Sequence, residues 1–259
     1  MTLLGKYETL QKVVASSPGA VAFSGGADSS LLLKAVVDVF GPGSLAFFAD
    51  SELQTDADRA NAVRTARIIG ANLRIVELNP THWPDFAANS PERCYICKKK
   101  VYLLFKGLLP KKDMALLDGS NLDDLKQDRP GRRAIAELDV KTPLVEAGLS
   151  KDDVRRLGEF VGVPSWNRES ASCLATRIPT GTMISSDNLR RVARYEKILT
   201  DYGLCGARIR LCADDLRSVG LELKKSDMTS IWRTEIKKKL VQDLEKSGIE
   251  NIWLSLKGR

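Results

Sequence analysis

The densest chemistry in this chain is the run Ser24-Gly25-Gly26-Ala27-Asp28-Ser29-Ser30. Two adjacent glycines let the backbone approach an anion with no Cβ in the way. Ser24, Ser29 and Ser30 can add hydroxyl donors. A helix opening at this point would present unpaired N–H groups and the positive end of its dipole. The run is not a Walker A loop, because no Gly-Lys-Ser/Thr closes it. A glycine turn that merely joins a strand to a helix has no need of the serines and the aspartate, so the full pattern favours phosphate binding.

The second chemical signal is sulfur. The cysteines are Cys94, Cys97, Cys173, Cys205 and Cys212, and an odd count argues against a disulfide framework. Cys94 and Cys97 form a close pair ahead of Lys98-Lys99-Lys100, while Cys173 stands in Ser172-Cys173-Leu174-Ala175-Thr176-Arg177. Four readings compete: a redox dithiol, half of a zinc site, inert thiols, or a 4Fe–4S cluster on Cys94, Cys97 and Cys173. The pair lacks a thioredoxin-like setting, no second close pair exists, and the Cys205–Cys212 spacing is poor for zinc, so the cluster is preferred. Three ligands leave one iron open to carry a sulfide. Lys98–Lys100 is expected to lower neighbouring thiol pKa values. Cys205 and Cys212 are expected to be small buried apolar residues. The one histidine, His82, follows an Asn-Pro-Thr turn and reads as a loop or packing residue, which excludes multi-histidine mechanisms.

The elements that must position these groups alternate. Apolar runs at 20–23, 44–49, 73–78 and 114–117 read as strands, and 31–40, 56–69 and 98–108 as helices. Strands spaced by helices imply right-handed crossovers and a doubly wound parallel sheet of the α/β class. Ligands of such sheets bind at the carboxyl ends of the strands, where Ser24 and Asp50 fall and which Asp118-Gly119-Ser120-Asn121 follows. Residues 128–133 read as a loop, 151–161 as a helix, and 165–182 as an irregular functional loop. Thereafter the pattern gives a helix to Tyr202, strands near 207–211 and 217–223, a helix over 228–246 and a strand over 249–256. The expected division is a nucleotide-binding domain over 1–183 and a small α+β domain over 184–259.

The bulk numbers agree with an ordinary soluble enzyme. The chain has 259 residues, 43% apolar and 28% charged, and 40 Lys+Arg against 33 Asp+Glu give a formal charge of +7. That excess favours anionic partners such as nucleotides, phosphates or RNA. No run reaches the roughly 18 apolar residues of a membrane helix, and the N-terminus lacks a secretory pattern, so a cytoplasmic protein is expected.

The Ser-Gly-Gly-x-Asp-Ser run resembles the PP-loop ATP pyrophosphatases, of adenine nucleotide α-hydrolase-like fold. The resemblance implies ATP cleavage between the α and β phosphates, with Ser24, Gly25, Gly26, Asp28, Ser29, Ser30 and Asp50 at the nucleotide. Asp28 would help to organise Mg²⁺ or the loop. Arg177, Arg208 and Arg210 are candidates for phosphate contact, since guanidinium forks match phosphate oxygens.

A sharper resemblance lies in Asp118-Gly119-Ser120-Asn121-Leu122-Asp123-Asp124, Asp128-Arg129-Pro130-Gly131, Thr142-Pro143-Leu144-Val145-Glu146-Ala147-Gly148-Leu149 and Cys173-Leu174-Ala175-Thr176-Arg177-Ile178-Pro179-Thr180-Gly181. Together these are similar to the LarE family, sulfur transferases of nickel-pincer nucleotide synthesis, over about 21–224. Thr176 and Thr180 depart from the commoner pattern, which has serine and an aromatic there. The likeness implies adenylation of a carboxylate of pyridinium-3,5-biscarboxylic acid mononucleotide, followed by replacement of AMP by sulfur. Some members surrender the sulfur of the cysteine matched by Cys173; others add a pair, matched by Cys94 and Cys97, and bind a cluster. This chain matches the cluster type, with Cys173, Asp28 and Arg177 as catalytic residues. Arg208 and Arg210 match the family's arginines for substrate phosphate, and Glu196, Glu222 and Asp227 its acidic metal-site candidates. A homo-oligomer is expected. A 4Fe–4S tRNA thiolase is the alternative enzyme, disfavoured because no RNA-binding module is recognisable. A non-catalytic nucleotide-binding regulatory module is the other alternative, and it leaves the cysteines without a role.

Overall fold

Short apolar runs closed by turn residues become parallel strands here, and the longer periodic segments become the crossovers between them. The computed structural model describes residues 2–111, 113–126, 130–168, 172–231 and 234–256. In chain order it has α1 (Leu3–Ala15), β1 (Gly19–Ala22), α2 (Ala27–Phe40), β2 (Leu45–Asp50), α3 (Asp56–Ile69) and β3 (Asn72–Glu77). A 3₁₀ turn (Pro80–His82) and one-turn α4 (Pro84–Ala87) lead to α5 (Arg93–Gly107), β4 (Ala115–Leu117), α6 (Leu122–Leu125), α7 (Gly131–Glu137), α8 (Pro143–Glu146) and α9 (Lys151–Phe160). A second 3₁₀ turn (Leu174–Arg177) precedes α10 (Ser186–Asp201), β5 (Arg208–Leu211), β6 (Ser218–Glu222), α11 (Lys225–Ile231), α12 (Thr234–Lys246) and β7 (Asn251–Leu254). The chain divides into two compact units, residues 1–78 with 92–170, and 79–91 with 171–259.

The first unit holds a parallel four-stranded sheet of order β3-β2-β1-β4. Successive strand residues face opposite sides, and both sides are covered, which is why the strands read as unbroken apolar runs. Val21, Ala46, Phe48 and Leu117 pack with residues of α1, α2, α3 and α9. Ala20, Leu45, Phe47 and Leu116 pack with α5 and α7 through Tyr102, Phe105 and Ile135. Helix α3 opens on a capping box between Thr55 and Asp58. Helix α1 precedes the first expected element; Tyr7, Leu10 and Val14 form its buried stripe and Thr2 caps it.

Three expectations change. Helix α5 begins at Arg93 rather than Lys98, so Cys94 and Cys97 lie inside it. Residues 131–133 belong to α7, not to a loop; Asp128 and Arg129 lie outside the described residues. The expected helix over 228–246 is described as α11 and α12, on either side of two residues outside the described set.

The second unit holds a three-stranded sheet of order β5-β6-β7, antiparallel between β5 and β6 and parallel between β6 and β7. Helix α10 buries Leu189, Val192, Tyr195 and Leu199. All of 184–259 falls in this unit, together with 79–91 and 171–183. The fully buried Asn89 explains the association: its amide donates to the Pro179 and Thr182 carbonyls at 2.7 Å each, and its own carbonyl accepts from the Gly181 N–H at 3.0 Å.

Phe47 is fully buried in β2 and stacks on Phe105 with ring centroids 5.2 Å apart. Phe47→Ala is expected to lower stability by about 3–5 kcal/mol, read from urea denaturation of the full chain; a loss under about 1 kcal/mol would contradict this packing.

Candidate functional site

In the sheet order β3-β2-β1-β4 the chain moves outward from β1 to β3 and then returns to the other side of β1. The loops leaving β1 and β4 therefore diverge at a switch point, where α/β sheets bind ligands. The loop after β1 is the Ser24–Ser30 run. Gly26 caps α2 with extended backbone and no side-chain hydrogen bond, so the amides of the first turn are left without a side-chain cap. Ser24 and Ser29 hold the loop across its mouth, their hydroxyls 3.1 Å apart and the Ser24 N–H 3.2 Å from Ser29 Oγ. Gly25 is required on two counts. Its φ is +75°, and a Cβ there would lie 2.9 Å from the Ala62 Cα on α3. Asn61 pins the same residue, its amide donating to the Gly25 carbonyl at 2.9 Å. Ser30 is fully buried, and its hydroxyl has no hydrogen-bond partner among the described residues.

The loop after β4 closes on this turn. A Cβ on Gly119 would come within 2.9 Å of the Ser29 nitrogen. Asn121 donates to Asp28 Oδ1 at 2.8 Å while its side-chain oxygen caps α6. Burial pushes the Asp28 carboxyl above its ordinary value and the charge of Asp124 adds to this, against the Asn121 hydrogen bond and the charge of Lys151. Asp50, at the end of β2, pairs with Arg59 Nε of α3 at 2.6 Å.

Asp118 ties this loop to the cysteine helix. Its carboxylate accepts from Tyr102 and Ser120 hydroxyls and from the Ser120 N–H at 2.8 Å, and it lies 3.1 Å from Lys98 Nζ. Burial acts to raise its pKa, but the Lys98 charge and these hydrogen bonds outweigh it and hold the carboxyl below its ordinary value. Burial, then the charge and hydrogen bond of Asp118, push the Tyr102 phenol well up. Lys98 is thus engaged by Asp118, and Lys99 by Glu137 and the Tyr95 hydroxyl. Cys94 is exposed and Cys97 half-buried, three residues apart on α5 and so on neighbouring positions of one helical face.

Cys173 belongs to the second unit, at the start of the 3₁₀ turn Leu174–Arg177. Arg177 is buried and binds Glu196 through two parallel hydrogen bonds, Nε to Oε1 at 2.7 Å and Nη2 to Oε2 at 3.1 Å. Its Nη1 donates to the Ser172 carbonyl and hydroxyl, the Thr176 hydroxyl and the Cys173 carbonyl. Arg208 and Arg210 alternate with buried Ile209 and Leu211 and share one face of β5. Arg210 donates to Glu222 at 2.5 Å and to the Thr176 carbonyl at 2.7 Å. Asp227 accepts from the Ser226 hydroxyl at 3.0 Å. Among the described residues no three His, Cys, Asp or Glu side chains gather as a metal-holding group. Cys205 is exposed, against expectation; Cys212 is half-buried, and burial raises its thiol pKa.

The sequence alone gives Asn121, Asp118 and Lys151 no individual role, and gives Lys98 only one beside the thiols. The signal for the first two was present, since Asp118-Gly119-Ser120-Asn121 follows a strand end; Lys98 and Lys151 reach this region only through the fold.

The first unit therefore defines a parallel α/β protein with an uncapped glycine loop at its switch point. No family model matches the chain. It is 34% identical over 218 residues to pyridinium-3,5-bisthiocarboxylic acid mononucleotide synthase of Lactiplantibacillus plantarum, covering 83% of this chain and 77% of that protein. It is also 31% identical over 258 residues to an uncharacterized protein of Synechocystis sp., covering 99% of this chain and 95% of that one. An uncharacterized protein of Methanocaldococcus jannaschii is 26% identical over 243 residues, 91% of this chain and 88% of its own. The chain belongs to the LarE family, that of the Lactiplantibacillus synthase. Among the described residues no helix is long and apolar enough to cross a membrane.

Asp118→Asn removes the charge that Lys98 and Tyr102 serve and is expected to cost about 2–3 kcal/mol at neutral pH. Because the folded pKa is depressed, the carboxylate's contribution is present above its ordinary value of 3.8 and lost as pH falls through the lower folded value. The gap between wild type and variant should therefore narrow in acid, measured by urea denaturation across pH; a gap that widens in acid would contradict this network.

Proposed function

We propose that this chain is an ATP-dependent sulfur transferase acting on pyridinium-3,5-biscarboxylic acid mononucleotide. The observation that carries the reading is the closure of the Asp118–Asn121 loop on the uncapped glycine loop at the sheet's switch point, in a chain related to a synthase of the bisthiocarboxylic product. In the first step a substrate carboxylate oxygen attacks the α-phosphorus of ATP. The bond from that phosphorus to the α–β bridging oxygen breaks, and pyrophosphate leaves. In the second step sulfide attacks the acyl carbon and AMP leaves, giving the thiocarboxylate.

The residues fit the nucleotide's demands. Gly25 and Gly26 bare the backbone, the first turn of α2 offers N–H groups to pyrophosphate, and Ser24 is exposed at the loop. Asp28 and Asn121 form the polar wall beside the first turn of α2. A carboxylate beside polyphosphate needs a cation between them, which is the role of Mg²⁺ in this reading. For the sulfur source, Cys94, Cys97 and Cys173, none of them in a disulfide, would hold a 4Fe–4S cluster. That cluster would supply a replaceable sulfide, so that the chain turns over.

The reading is tested in two arms. Incubated with ATP and substrate, the protein should release AMP and pyrophosphate, and Asp28→Ala should abolish this while the fold is kept; ADP and phosphate as products would sink it. After anaerobic reconstitution with iron and sulfide, several thiocarboxylates per chain with Cys173 intact by mass are expected. One product per chain with Cys173 converted to dehydroalanine would instead make that residue the donor.

A further inference from the structure

We infer that Glu196 is a positioning residue that acts through Arg177 to fix the backbone carrying Cys173, with the Arg210–Glu222 pair bracing the other end of the same turn. The inference takes from the proposed function only that Cys173 is a working thiol.

The geometry assigns every participant. Arg177 is 6% exposed, and each of its three guanidinium nitrogens donates within the second unit. Two of them meet Glu196 as a parallel fork, the arrangement that fixes both distance and plane. The third faces the turn, at 2.6 Å from Ser172 Oγ, 2.9 Å from Thr176 Oγ1, 3.0 Å from the Ser172 carbonyl and 3.4 Å from the Cys173 carbonyl. The Cys173 carbonyl also accepts from the Thr176 N–H at 3.0 Å and hydroxyl at 2.8 Å. The peptide groups on both sides of the Cys173 Cα are therefore held by one buried guanidinium, and the direction of the Cys173 Cα–Cβ bond follows from theirs.

Glu196 is in turn fixed from the sheet. Its Oε1 accepts the Ile209 N–H of β5 at 3.1 Å as well as Arg177 Nε. Three donors on two oxygens of a nearly buried carboxylate leave it poorly suited to a metal ion: a cation there would compete with Arg177, and a displaced guanidinium would be buried without its anion. Arg210, on the same strand as Ile209, donates to the Thr176 carbonyl at 2.7 Å and to Glu222. The turn is thus anchored near Cys173 by Arg177 and near Thr176 by Arg210, each oriented by its own glutamate. The metal roles that the resemblance implies for Glu196 and Glu222 are replaced by a positioning role for both.

The test uses the full chain with Glu196→Gln, Arg177→Lys and the double variant. Alkylation of Cys173 by iodoacetamide, resolved by mass spectrometry of the digested protein, needs no substrate, so it reads the turn even if the sulfur-transfer reading fails. Each single variant should speed alkylation of the half-buried thiol by about threefold or more, and the double variant should add little, because the pair acts as a unit. With ATP and substrate, kcat for thiocarboxylate formation should fall by about tenfold while KM and the Mg²⁺ concentration for half-maximal AMP release stay unmoved. A Mg²⁺ requirement raised about tenfold in Glu196→Gln, with activity restored by excess ion, would make Glu196 a metal ligand and overturn the inference. Unchanged alkylation in both single variants would overturn it equally. Should Glu196→Gln not fold, Arg177→Lys decides alone: it keeps the carboxylate for a metal but loses the fork, so full activity with ordinary alkylation would refute positioning.

Discussion

The buried carboxylate of Asp118 sets the terms for the first unit. An ionised group taken out of water is costly unless its oxygens are hydrogen-bonded and a counter-charge is near. Asp118 meets that demand with the Tyr102 hydroxyl and Lys98 from α5, and with the hydroxyl and N–H of Ser120 from its own loop. Satisfying one carboxylate in this way fixes two things together. It holds the cysteine-bearing helix against the end of β4, and it bends the chain after β4 so that Gly119 lies flat on the first turn of α2. Asn121 then falls within reach of Asp28. The glycine loop is shaped from β1, from α3 through Asn61 and Ala62, and from β4 through this bend.

How much of this was legible in the sequence depends on the range of the interaction. Strand ends and the glycine loop were legible because they rest on local chemistry: an apolar run followed by residues that tolerate close backbone approach. Helix α3 was legible to the residue because its signals, Thr55 and Asp58 at the start and Gly70 at the end, are adjacent to it in sequence. The start of α5 was not, because Glu92 makes no side-chain cap there and the cysteine pair obscured a helical reading. Asp118 was legible as part of a motif but not as a counter-ion, since its partners Lys98 and Tyr102 lie on a helix one crossover earlier. The same limit applies to charge. A surplus of lysine and arginine suggested a surface for anions, yet Lys98, Lys99, Arg59 and Arg177 are each committed to a carboxylate of the chain itself.

The second unit shows the limit most clearly. Residue type suggests Arg177 and Arg210 as phosphate ligands, and the family resemblance implies metal roles for Glu196 and Glu222. Folding brings the four together as two ion pairs, because the β5–β6 register sets Arg210 opposite Gly220 and diagonal to Glu222, and α10 delivers Glu196 next to the 3₁₀ turn. Opposite charges that resemblance assigns to two different ligands are each other's partners. The turn they hold, with Cys173 at its head, has little regular structure to support it, and buried guanidinium–carbonyl bonds replace the ladder that a strand or long helix would provide.

Asp28 raises the opposite question, because it puts an acid inside an anion cradle. The start of α2 favours negative charge through its unpaired amides and dipole. The Asn121 amide favours the ionised form as well. Burial and the neighbouring Asp124 nevertheless prevail, and the carboxyl stays above its ordinary value. A polyphosphate arriving at the same amides would add further negative charge and push the group higher still, unless positive charge came with it. Lys151, at the start of α9, is the cation the fold already supplies to Asp28, and it is not enough to reverse the shift. In the proposed reading a divalent cation would let both anions be held at once. The pairing of a bare glycine turn with a half-buried aspartate thus places opposing demands at the first turn of α2: amides that favour an anion, and a carboxylate already short of positive charge.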